Sequence, residues 1–373
     1  MSSVGRIRSL DGVRGIAAIV VVLYHTTLVA RPHLSGETWA WLTQSPLKLL
    51  FVGTESVLVF FVLSGVVVAL PALRHGFSWA TYYPHRVLRL YLPVIASLLV
   101  AAALILVIPR DPSTVAEGSW LRDAQATSVT SGSFFSEASL FRVTYDINNV
   151  LWSLRWEVVF SLLLPVFVFV ASTLRKHALW LGIACAMLSI IGRTFSVDAL
   201  VYLPVFMMGT LIAVRLHDIE EWGKRQHHLS TWLVLSSVAA LFMVFSWLAR
   251  PVFESGSPGN LILWGLSGAG AGIVIVLAVA WPACRSLLEV RPVQWIGKIS
   301  FSLYLVHAPI LGTFGFLFGD DLWWLTGVVG IPTSIIVAAL FFRLVESPSQ
   351  QLSRSVGKWS GRTVAKATAA PTV

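Results

Sequence analysis

Long apolar runs recur along the chain of 373 residues and are separated by short polar segments. A helix needs ~20 mostly apolar residues to cross about 30 Å of hydrocarbon. By this criterion the sequence predicts ten membrane-spanning helices, near residues 13–31, 49–72, 90–109, 151–172, 178–196, 199–215, 230–249, 260–282, 299–318 and 323–345. The fifth and sixth of these leave little room for a loop between them. We therefore expect an all-α, polytopic integral membrane protein.

The composition agrees with this pattern. Hydrophobic residues make up 56% of the chain and charged residues 12%, whereas soluble proteins usually carry about 25% charged residues. No second composition regime is present, so we expect one membrane domain over residues 8–348 and a flexible cytoplasmic tail over 349–373. The first apolar stretch follows basic residues but lacks a small-residue cleavage pattern, so we expect it to be an uncleaved first helix.

The formal net charge of +9 would suggest a nucleic-acid partner in a soluble protein. Here most Lys and Arg residues fall in alternate connections between spans, as in cytoplasmic loops. We therefore expect a multi-pass protein of the cell (inner or plasma) membrane, with both termini cytoplasmic and no nucleic-acid partner. Cys185 and Cys284 lack metal-ligand spacing and imply no disulfide framework, so no metal site is expected.

The longest predicted outer segment, residues 110–150, is rich in Ser, Thr and acidic residues. It is too long for a simple connector. Two interpretations stay open for it: the segment covers an outer cavity, or it is partly disordered.

Ionisable side chains inside spans are energetically costly and are candidates for function. Arg14 and His25 lie eleven residues apart in the first predicted helix. In an α-helix this spacing places them within about 20° of one face and about 16 Å apart along the axis. Asp11 lies near the same face. The alternative is structural: Arg14 reaches a lipid phosphate and His25 forms a hydrogen bond to another helix.

Two further groups lie near the ends of spans. Arg86 and Arg89 share a helical face on the predicted cytoplasmic side, and guanidinium groups bind phosphate in a bidentate way; membrane anchoring is the alternative. Glu157 lies about a turn and a half into the fourth span, and Glu55 in the second span is a weaker case of the same kind.

The last two spans carry a third group. Tyr304 and His307 are three residues apart in the ninth span and share a face. Proline cannot continue a helix interior, so Pro348 is expected to end the tenth helix. This leaves Glu346 at the cytoplasmic rim, with a structural ion pair and a functional role equally open.

The order and spacing of these residues resemble the acyltransferase-3 family, the membrane-bound O-acyltransferases of bacterial surface glycans. The motifs that carry the resemblance run from residue 8 to 348: Arg8-Ser-Leu-Asp-Gly-Val-Arg-Gly-Ile-Ala-Ala18 with Arg14 and His25, Phe60-Phe-Val-Leu-Ser-Gly65, Arg86 with Arg89, Trp152-Ser-Leu154 with Glu157, Ser302-Leu-Tyr-Leu-Val-His307, and Val345-Glu-Ser-Pro348. Arg155, beside the Trp152 motif, departs from the pattern.

The resemblance implies an acyl-CoA co-substrate, usually acetyl-CoA, and no tightly bound cofactor. It implies an acceptor hydroxyl on a carbohydrate or glycolipid, such as an exopolysaccharide or O-antigen. The chain resembles the stand-alone type, without a C-terminal soluble hydrolase-like domain. On this basis Arg14, Arg86 and Arg89 are candidates for binding the CoA phosphates, and His25 for the general base or a covalent acyl carrier.

Glu157, Tyr304 and His307 are candidates for orienting His25 or the acceptor. Two other classes stay open on the residues alone. A transporter or flippase could use intramembrane His and Glu residues for proton coupling, although no inverted repeat is visible. A non-catalytic membrane scaffold would make the polar face of the first helix expendable.

Overall fold

The computed structural model describes residues 7–141 and 145–369. Within these residues the regular structure is helical, and no strand is present. The α-helices are α1 (Arg8–Ala30), α2 (Gly36–Thr43), α3 (Gly53–Ala72), α4 (Trp79–Val107), α5 (Trp120–Ala124), α6 (Ser131–Ala138), α7 (Trp152–Thr173), α8 (Ala178–Thr194), α9 (Asp198–Val214), α10 (Leu216–Arg225), α11 (Leu229–Leu248), α12 (Pro258–Gly265), α13 (Ser267–Ala280), α14 (Pro282–Leu288), α15 (Arg291–Phe318), α16 (Trp323–Phe341) and α17 (Ser347–Ala369).

Nine helical stretches in the described part of the chain are long and apolar enough to cross a membrane. A tenth is counted when α9 and α10, which meet at a 68° bend, are taken as one span. Each predicted span has its counterpart, so the polytopic all-α architecture is confirmed. Three residues, 195–197, separate α8 from α9, and Ser196 makes the turn with a φ of 57°. The cytoplasmic placement of both termini stays a prediction.

The chain divides into two compact units. Unit 1 contains Met1–Thr27, His33–Leu73 and Leu163–Ser300. Unit 2 contains Leu28–Pro32, Arg74–Leu162 and Phe301–Val373. Helices α1, α7 and α15 each contribute residues to both units.

Glycine contacts bring helices together inside unit 1. A Cβ atom on Gly65 of α3 would overlap the carbonyl of Phe206, and one on Gly209 of α9 would overlap the carbonyl of Val62. Small residues allow this close backbone approach, which is a main source of helix association in membranes. The Gly65 position therefore belongs to the packing of α3 on α9.

Close contacts at glycines also fix the position of the beginning of α1. A Cβ atom on Gly15 would lie 2.7 Å from the backbone nitrogen of Gly297 in α15, and one on Gly12 would overlap the carbonyl of Leu288. The two glycines that flank Arg14 in sequence thus set the packing of α1, which in turn positions Asp11 and Arg14.

The prediction that Pro348 ends the last helix is wrong. A π-helical turn, Phe342–Glu346, connects α16 to α17, and Pro348 is the second residue of α17. Proline is tolerated in the first turn of a helix because the N–H groups there have no partner within the helix. Glu346 is buried at this junction rather than exposed at a rim.

The prediction of a flexible tail over 349–373 is also wrong for the described residues, which form α17 and pack on α4 in unit 2. Ser353 is fully buried, and a Cβ atom on Gly357 would lie 2.7 Å from the carbonyl oxygen of Thr81. The tail lacks apolar periodicity, but it has small residues at every fourth position, at Ser349, Ser353, Gly357 and Gly361. Residues 370–373 lie outside the described part.

Segment 110–150, which the sequence predicts to lie on the outer side, is largely folded where it is described. It contains α5 and α6, and the Glu137 carboxylate accepts hydrogen bonds from the amides of Asp146, Ile147 and Asn148. Burial raises the pKa of Glu137, against the effect of these bonds. The carboxylate thereby joins α6 to the residues that lead into α7. Residues 142–144 of this segment lie outside the described part.

The packing of α17 on α4 gives a first test. We expect Gly357→Leu to lower the melting temperature, because overpacking a close helix contact costs about 1–3 kcal/mol. The added side chain should also expose the segment after residue 347 to protease. Gly182→Leu in α8 is the matched control, since a Cβ atom there meets nothing within 4 Å. Equal melting temperatures for the two variants would contradict the packing of α17.

Candidate active site

His25 lies in unit 1, on α1, with 8% of its surface exposed. Its Nδ1 atom is 2.9 Å from the carbonyl oxygen of Val21, four residues earlier in the helix. A carbonyl oxygen only accepts, so Nδ1 carries the proton, and the neutral ring has its lone pair on Nε2. The backbone of α1 therefore selects the tautomer in which Nε2 can act as a base or nucleophile.

Arg14 lies on the same helix, as the sequence predicts, and contacts Asp11. The Nη1 atom of Arg14 is 3.9 Å from Oδ1 of Asp11, and about a quarter of the Arg14 side chain is exposed. Eleven residues of α-helix separate Arg14 from His25 by about 16 Å along the axis. The predicted alignment of a basic group with a buried histidine on α1 is thus present within unit 1.

A buried charged cluster, which the sequence interpretation missed, lies beside His25. The ring of Tyr24 meets the ring of His25 edge-on at 5.3 Å, and the Nζ atom of Lys48 is 5.3 Å from the centre of the Tyr24 ring. Lys48 is fully buried, with Nζ 3.6 Å from the centre of a Trp247 ring and 3.1 Å from the carbonyl oxygen of Phe51. In the sequence, a lysine within the otherwise apolar run Pro46–Phe51 was the signal that could have indicated this buried charge.

Trp247 connects three charged side chains in this cluster. Its indole N–H donates to Oε1 of Glu55 at 3.0 Å, and the Arg250 guanidinium lies 3.5 Å from a Trp247 ring centre. Burial lowers the pKa of Lys48 to about 8; Glu55 opposes this shift and Arg250 adds to it. Glu55, the weaker candidate of the sequence interpretation, is thus fully buried and holds Trp247 in place.

Arg86 and Glu157 form an ion pair in unit 2. The Arg86 Nε atom also donates to the Ser161 hydroxyl at 2.9 Å. Both charged side chains are largely buried, so the pair lies inside the unit. The placement of Arg86 on the cytoplasmic side stays a prediction. The sequence interpretation began the third span at residue 90, whereas α4 begins at Trp79 and carries Arg86 and Arg89 within it.

Tyr304 and Ser153 meet in the interior of unit 2. Their hydroxyl oxygens are 2.7 Å apart, and the Tyr304 hydroxyl is also 3.2 Å from the carbonyl oxygen of Val150. The Ser153 hydroxyl is likewise 3.1 Å from the carbonyl oxygen of Val150, so one of the two hydroxyls donates to the other while its partner donates to that carbonyl. The Trp152-Ser-Leu154 motif thus contacts the motif of α15 through its serine, a contact that spacing alone did not reveal.

His307 is fully buried one turn from Tyr304, with the two ring centres 5.9 Å apart. Its Nδ1 atom is 2.9 Å from the carbonyl oxygen of Leu303. This repeats the arrangement of His25 and leaves the lone pair of the neutral ring on Nε2. The predicted shared face of Tyr304 and His307 is present.

Other polar groups hold this part of α15. The Ser302 hydroxyl donates to Oε2 of Glu346 at 2.5 Å, and Gln350 donates to its other oxygen at 2.9 Å. The Asn148 amide donates to the carbonyl oxygen of Leu305 at 2.9 Å. Glu346 therefore accepts hydrogen bonds from α15 and α17 in unit 2, and the ion pair and the functional role considered from the sequence stay predictions.

Arg155, the departure from the family pattern, has its guanidinium carbon 5.3 Å from the centre of a Trp156 ring. A cation over an aromatic face is a favourable contact. Its charge thus has a local aromatic partner in α7.

The fold and these sites define a helical membrane protein with buried histidines on two of its helices. The family model described as an acyltransferase domain matches residues 7–343, nearly the whole chain, and the chain belongs to this acyltransferase-3 family. It is therefore an enzyme that transfers acyl groups.

Curated relatives agree with this assignment. The chain is 24% identical to the O-acetyltransferase PaAT-1 of Phomopsis amygdali, over 83% of this chain and 73% of the relative. It is 24% identical to acyltransferase clz18 of Cochliobolus lunatus, over 91% and 93% respectively. It is 21% identical to the peptidoglycan O-acetyltransferase OatA of Listeria monocytogenes, over 91% of this chain and 55% of OatA. No solved structure shows significant similarity.

The ion pair of Arg86 with Glu157 gives a second prediction. We expect Arg86→Met to destabilise the protein by about 3–5 kcal/mol, because it leaves a buried carboxylate without its partner. The double variant Arg86→Met with Glu157→Leu should recover most of this loss, measured by thermal unfolding in detergent.

Acyl transfer measured on the same variants separates structure from function. We expect the double variant to be inactive although it is stable, because the family resemblance marks Arg86 as a candidate for binding the donor and Glu157 as a candidate for orienting His25 or the acceptor. Full activity in the stable double variant would show that the pair serves the fold alone.

Lys48 gives a pH-dependent prediction. Its folded pKa of about 8 lies below the ordinary value of 10.5, so between these pH values the unfolded state binds more protons. The wild type should therefore gain stability relative to Lys48→Met as the pH rises from 8 to 10, by up to about 3 kcal/mol. Lys176→Met, at an exposed position, is the control. Parallel stability curves for wild type and Lys48→Met would contradict the buried ammonium group.

Proposed function

We propose that the chain is a membrane O-acyltransferase that moves an acyl group, usually acetyl, from acyl-CoA to a hydroxyl of a carbohydrate or glycolipid. The observation that carries the proposal is the state of His25. It is buried in a membrane-spanning helix, its Nδ1 proton is committed to the Val21 carbonyl, and it lies about 16 Å along the same helix from Arg14.

In the direct reaction, Nε2 of His25 takes the proton from the acceptor hydroxyl. The hydroxyl oxygen attacks the thioester carbonyl, the carbon–sulfur bond breaks, and the CoA thiolate takes the proton back from His25. An imidazole nitrogen with a lone pair can accept the hydroxyl proton and return it, which is the role of a general acid–base group in both transfers. In the covalent alternative, Nε2 attacks the thioester carbonyl, the carbon–sulfur bond breaks, and the CoA thiolate leaves and takes a proton from water. The acceptor hydroxyl then attacks the acyl carbon, the carbon–nitrogen bond breaks, and the freed Nε2 takes the hydroxyl proton and returns it to water.

Arg14 is the proposed phosphate contact for the donor on α1. Its guanidinium is partly exposed and lies 3.9 Å from Asp11, and a guanidinium in such a position can bind an oxyanion in a bidentate way. The family motif suggests the same role for Arg86 and Arg89. Within unit 2, Glu157 and Ser161 hold the Arg86 guanidinium in place.

The unit 2 residues have a different proposed role. The hydroxyls of Tyr304 and Ser153 bond to each other and to the Val150 carbonyl oxygen, and the Glu157 carboxylate is paired with Arg86. Groups held in this way serve better to position a substrate than to move its proton. We place Glu157, Tyr304 and His307 in this positioning role.

The family and the membrane-spanning helices support the acceptor and the membrane location that we propose for this protein. The relatives include a peptidoglycan O-acetyltransferase, which supports a surface carbohydrate as the acceptor. The nine or ten apolar helices of the described residues support a multi-pass protein, and we propose the cell membrane as its site.

The central prediction concerns His25. We expect His25→Ala to lower acyl transfer from labelled acetyl-CoA by at least about a hundredfold, the usual contribution of a general base. The purified protein in lipid should insert and unfold as the wild type does. His33→Ala, a substitution at a partly exposed position after the same helix, is the matched control. Wild-type rates in His25→Ala would remove this residue from the mechanism.

Initial-rate kinetics with both substrates varied separate the two reactions. Intersecting double-reciprocal lines fit the direct transfer. Parallel lines, together with labelled acyl group on the protein in the absence of acceptor, fit the covalent route.

A further inference from the structure

Arg110, just after α4 in unit 2, is a buried cation whose charge has no carboxylate partner among the described residues. Only 6% of its surface is exposed. Its Nη1 atom donates to the carbonyl oxygen of Ala126 at 2.8 Å, and Nη2 donates to the Thr313 hydroxyl at 3.0 Å. Its Nε atom is buried without a hydrogen-bond partner. The two bonds use neutral acceptors and leave the positive charge uncompensated.

Such a charge is costly, because an ionised group removed from water needs a paired counter-charge. Burial lowers the pKa of Arg110 to about 10, so the side chain is still protonated at neutral pH. The Phe316 ring, 5.6 Å from the guanidinium, offers a weak aromatic contact only. If Arg110 only linked Ala126 to α15, the two hydrogen bonds would be sufficient, and a neutral side chain could supply them.

Gln125 provides a second polar group at the same place. Its Oε1 atom is buried and has no hydrogen-bond partner in the part of the chain that the structure describes. The side chain lies against Gly312, where a Cβ atom would overlap it, and Gly312 precedes the Thr313 that binds Arg110. A cationic donor and an acceptor without a partner thus converge on one short stretch of α15. An anion alone would satisfy Arg110, whereas a ligand with an anion and a hydroxyl would satisfy both.

The position of Arg110 along α4 links it to one face of the membrane. Helix α4 has 29 residues, which corresponds to about 43 Å and exceeds the ~30 Å of hydrocarbon. Its two ends therefore lie at opposite faces. Arg86 and Arg89 lie near the first end, and Arg110 follows the second. When the acyl donor binds at the end of α4 that carries Arg86 and Arg89, the opposite face, at Arg110, is available for the acceptor.

We propose that Arg110 and Gln125 form a binding site for an acidic sugar, with the oxyanion on the Arg110 guanidinium and a neighbouring hydroxyl donating to Oε1 of Gln125. The oxyanion is a carboxylate or a phosphate, since both match the guanidinium in a bidentate way. The assignment of this sugar as the acceptor rests on the proposed acyl transfer, whereas the binding itself does not.

The test is direct binding to the purified full chain in a non-ionic detergent, without acyl donor. The probes are glucuronate, glucose 1-phosphate, glucose and inorganic phosphate, and the readout is calorimetric affinity. We expect at least one sugar acid to bind at least tenfold more tightly than glucose and more tightly than inorganic phosphate. The preferred oxyanion then identifies the carboxylate or phosphate form of the ligand.

Variants assign the binding to this site. Arg110→Gln should remove the preference for the sugar acid over glucose, and Arg110→Lys should keep part of it. Gln125→Leu should weaken binding while keeping the preference for acid. Gln125→Leu also keeps the proposal testable if Arg110→Gln does not fold. Arg122→Gln is the matched control, because Arg122 in the same segment is exposed and paired with exposed Glu117 at 3.3 Å.

Two results would overturn the proposal: equal affinity for glucuronate, glucose 1-phosphate and glucose in the wild type, or an unchanged preference for acid in folded Arg110→Gln. Inorganic phosphate or phosphatidylglycerol nanodiscs that bind better than either sugar acid would overturn the assignment to a sugar. His25→Ala should bind the sugar acid as the wild type does, so a failure of the catalytic proposal is separated from a failure of this one.

Discussion

Hydrocarbon offers no hydrogen bonds, so every polar group that enters it must find a partner within the protein. In the described residues many buried polar groups meet this requirement in one of three ways. Histidines bond to carbonyls of their own helix, as His25 does to Val21. Arg86 pairs with Glu157, and Ser302 binds Glu346. Each solution fixes a side chain at a defined depth and orientation, and the chemistry can occur only where these constraints leave a reactive atom available.

Helix contacts have to be close for such polar partners to meet. Without a hydrophobic driving force between helices in lipid, small residues provide the close approach. The two glycines beside Arg14 in α1 pack on Leu288 and Gly297, and Gly357 packs on Thr81. The family motif on α1 thus has two roles. Its glycines allow the close approach of α1 to its neighbours, and this packing positions its charged residues, Asp11 and Arg14.

The elements that depend on local sequence were predictable. Hydropathy located the spans, and helical periodicity aligned Arg14 with His25 and Tyr304 with His307. The contacts that depend on distant segments were not, because spacing along one helix says nothing of its neighbours. The pairing of Arg86 with Glu157, the cluster of Lys48 with Trp247 and the contact of Ser153 with Tyr304 are of this kind. Helix α17 was missed because apolar periodicity was sought where small residues carry the packing.

The carbonyl acceptors of the two buried histidines have a consequence for how the enzyme tolerates sequence change. In many enzymes a separate carboxylate selects the histidine tautomer, and a mutation of that carboxylate removes the selection. Here Val21 and Leu303 supply main-chain oxygens, which every amino acid provides. No substitution of a second side chain can delete the acceptor, so relatives can diverge around each histidine while the reactive nitrogen stays defined. Only a change in the path of the helix itself would break the hydrogen bond between the histidine Nδ1 and the carbonyl oxygen.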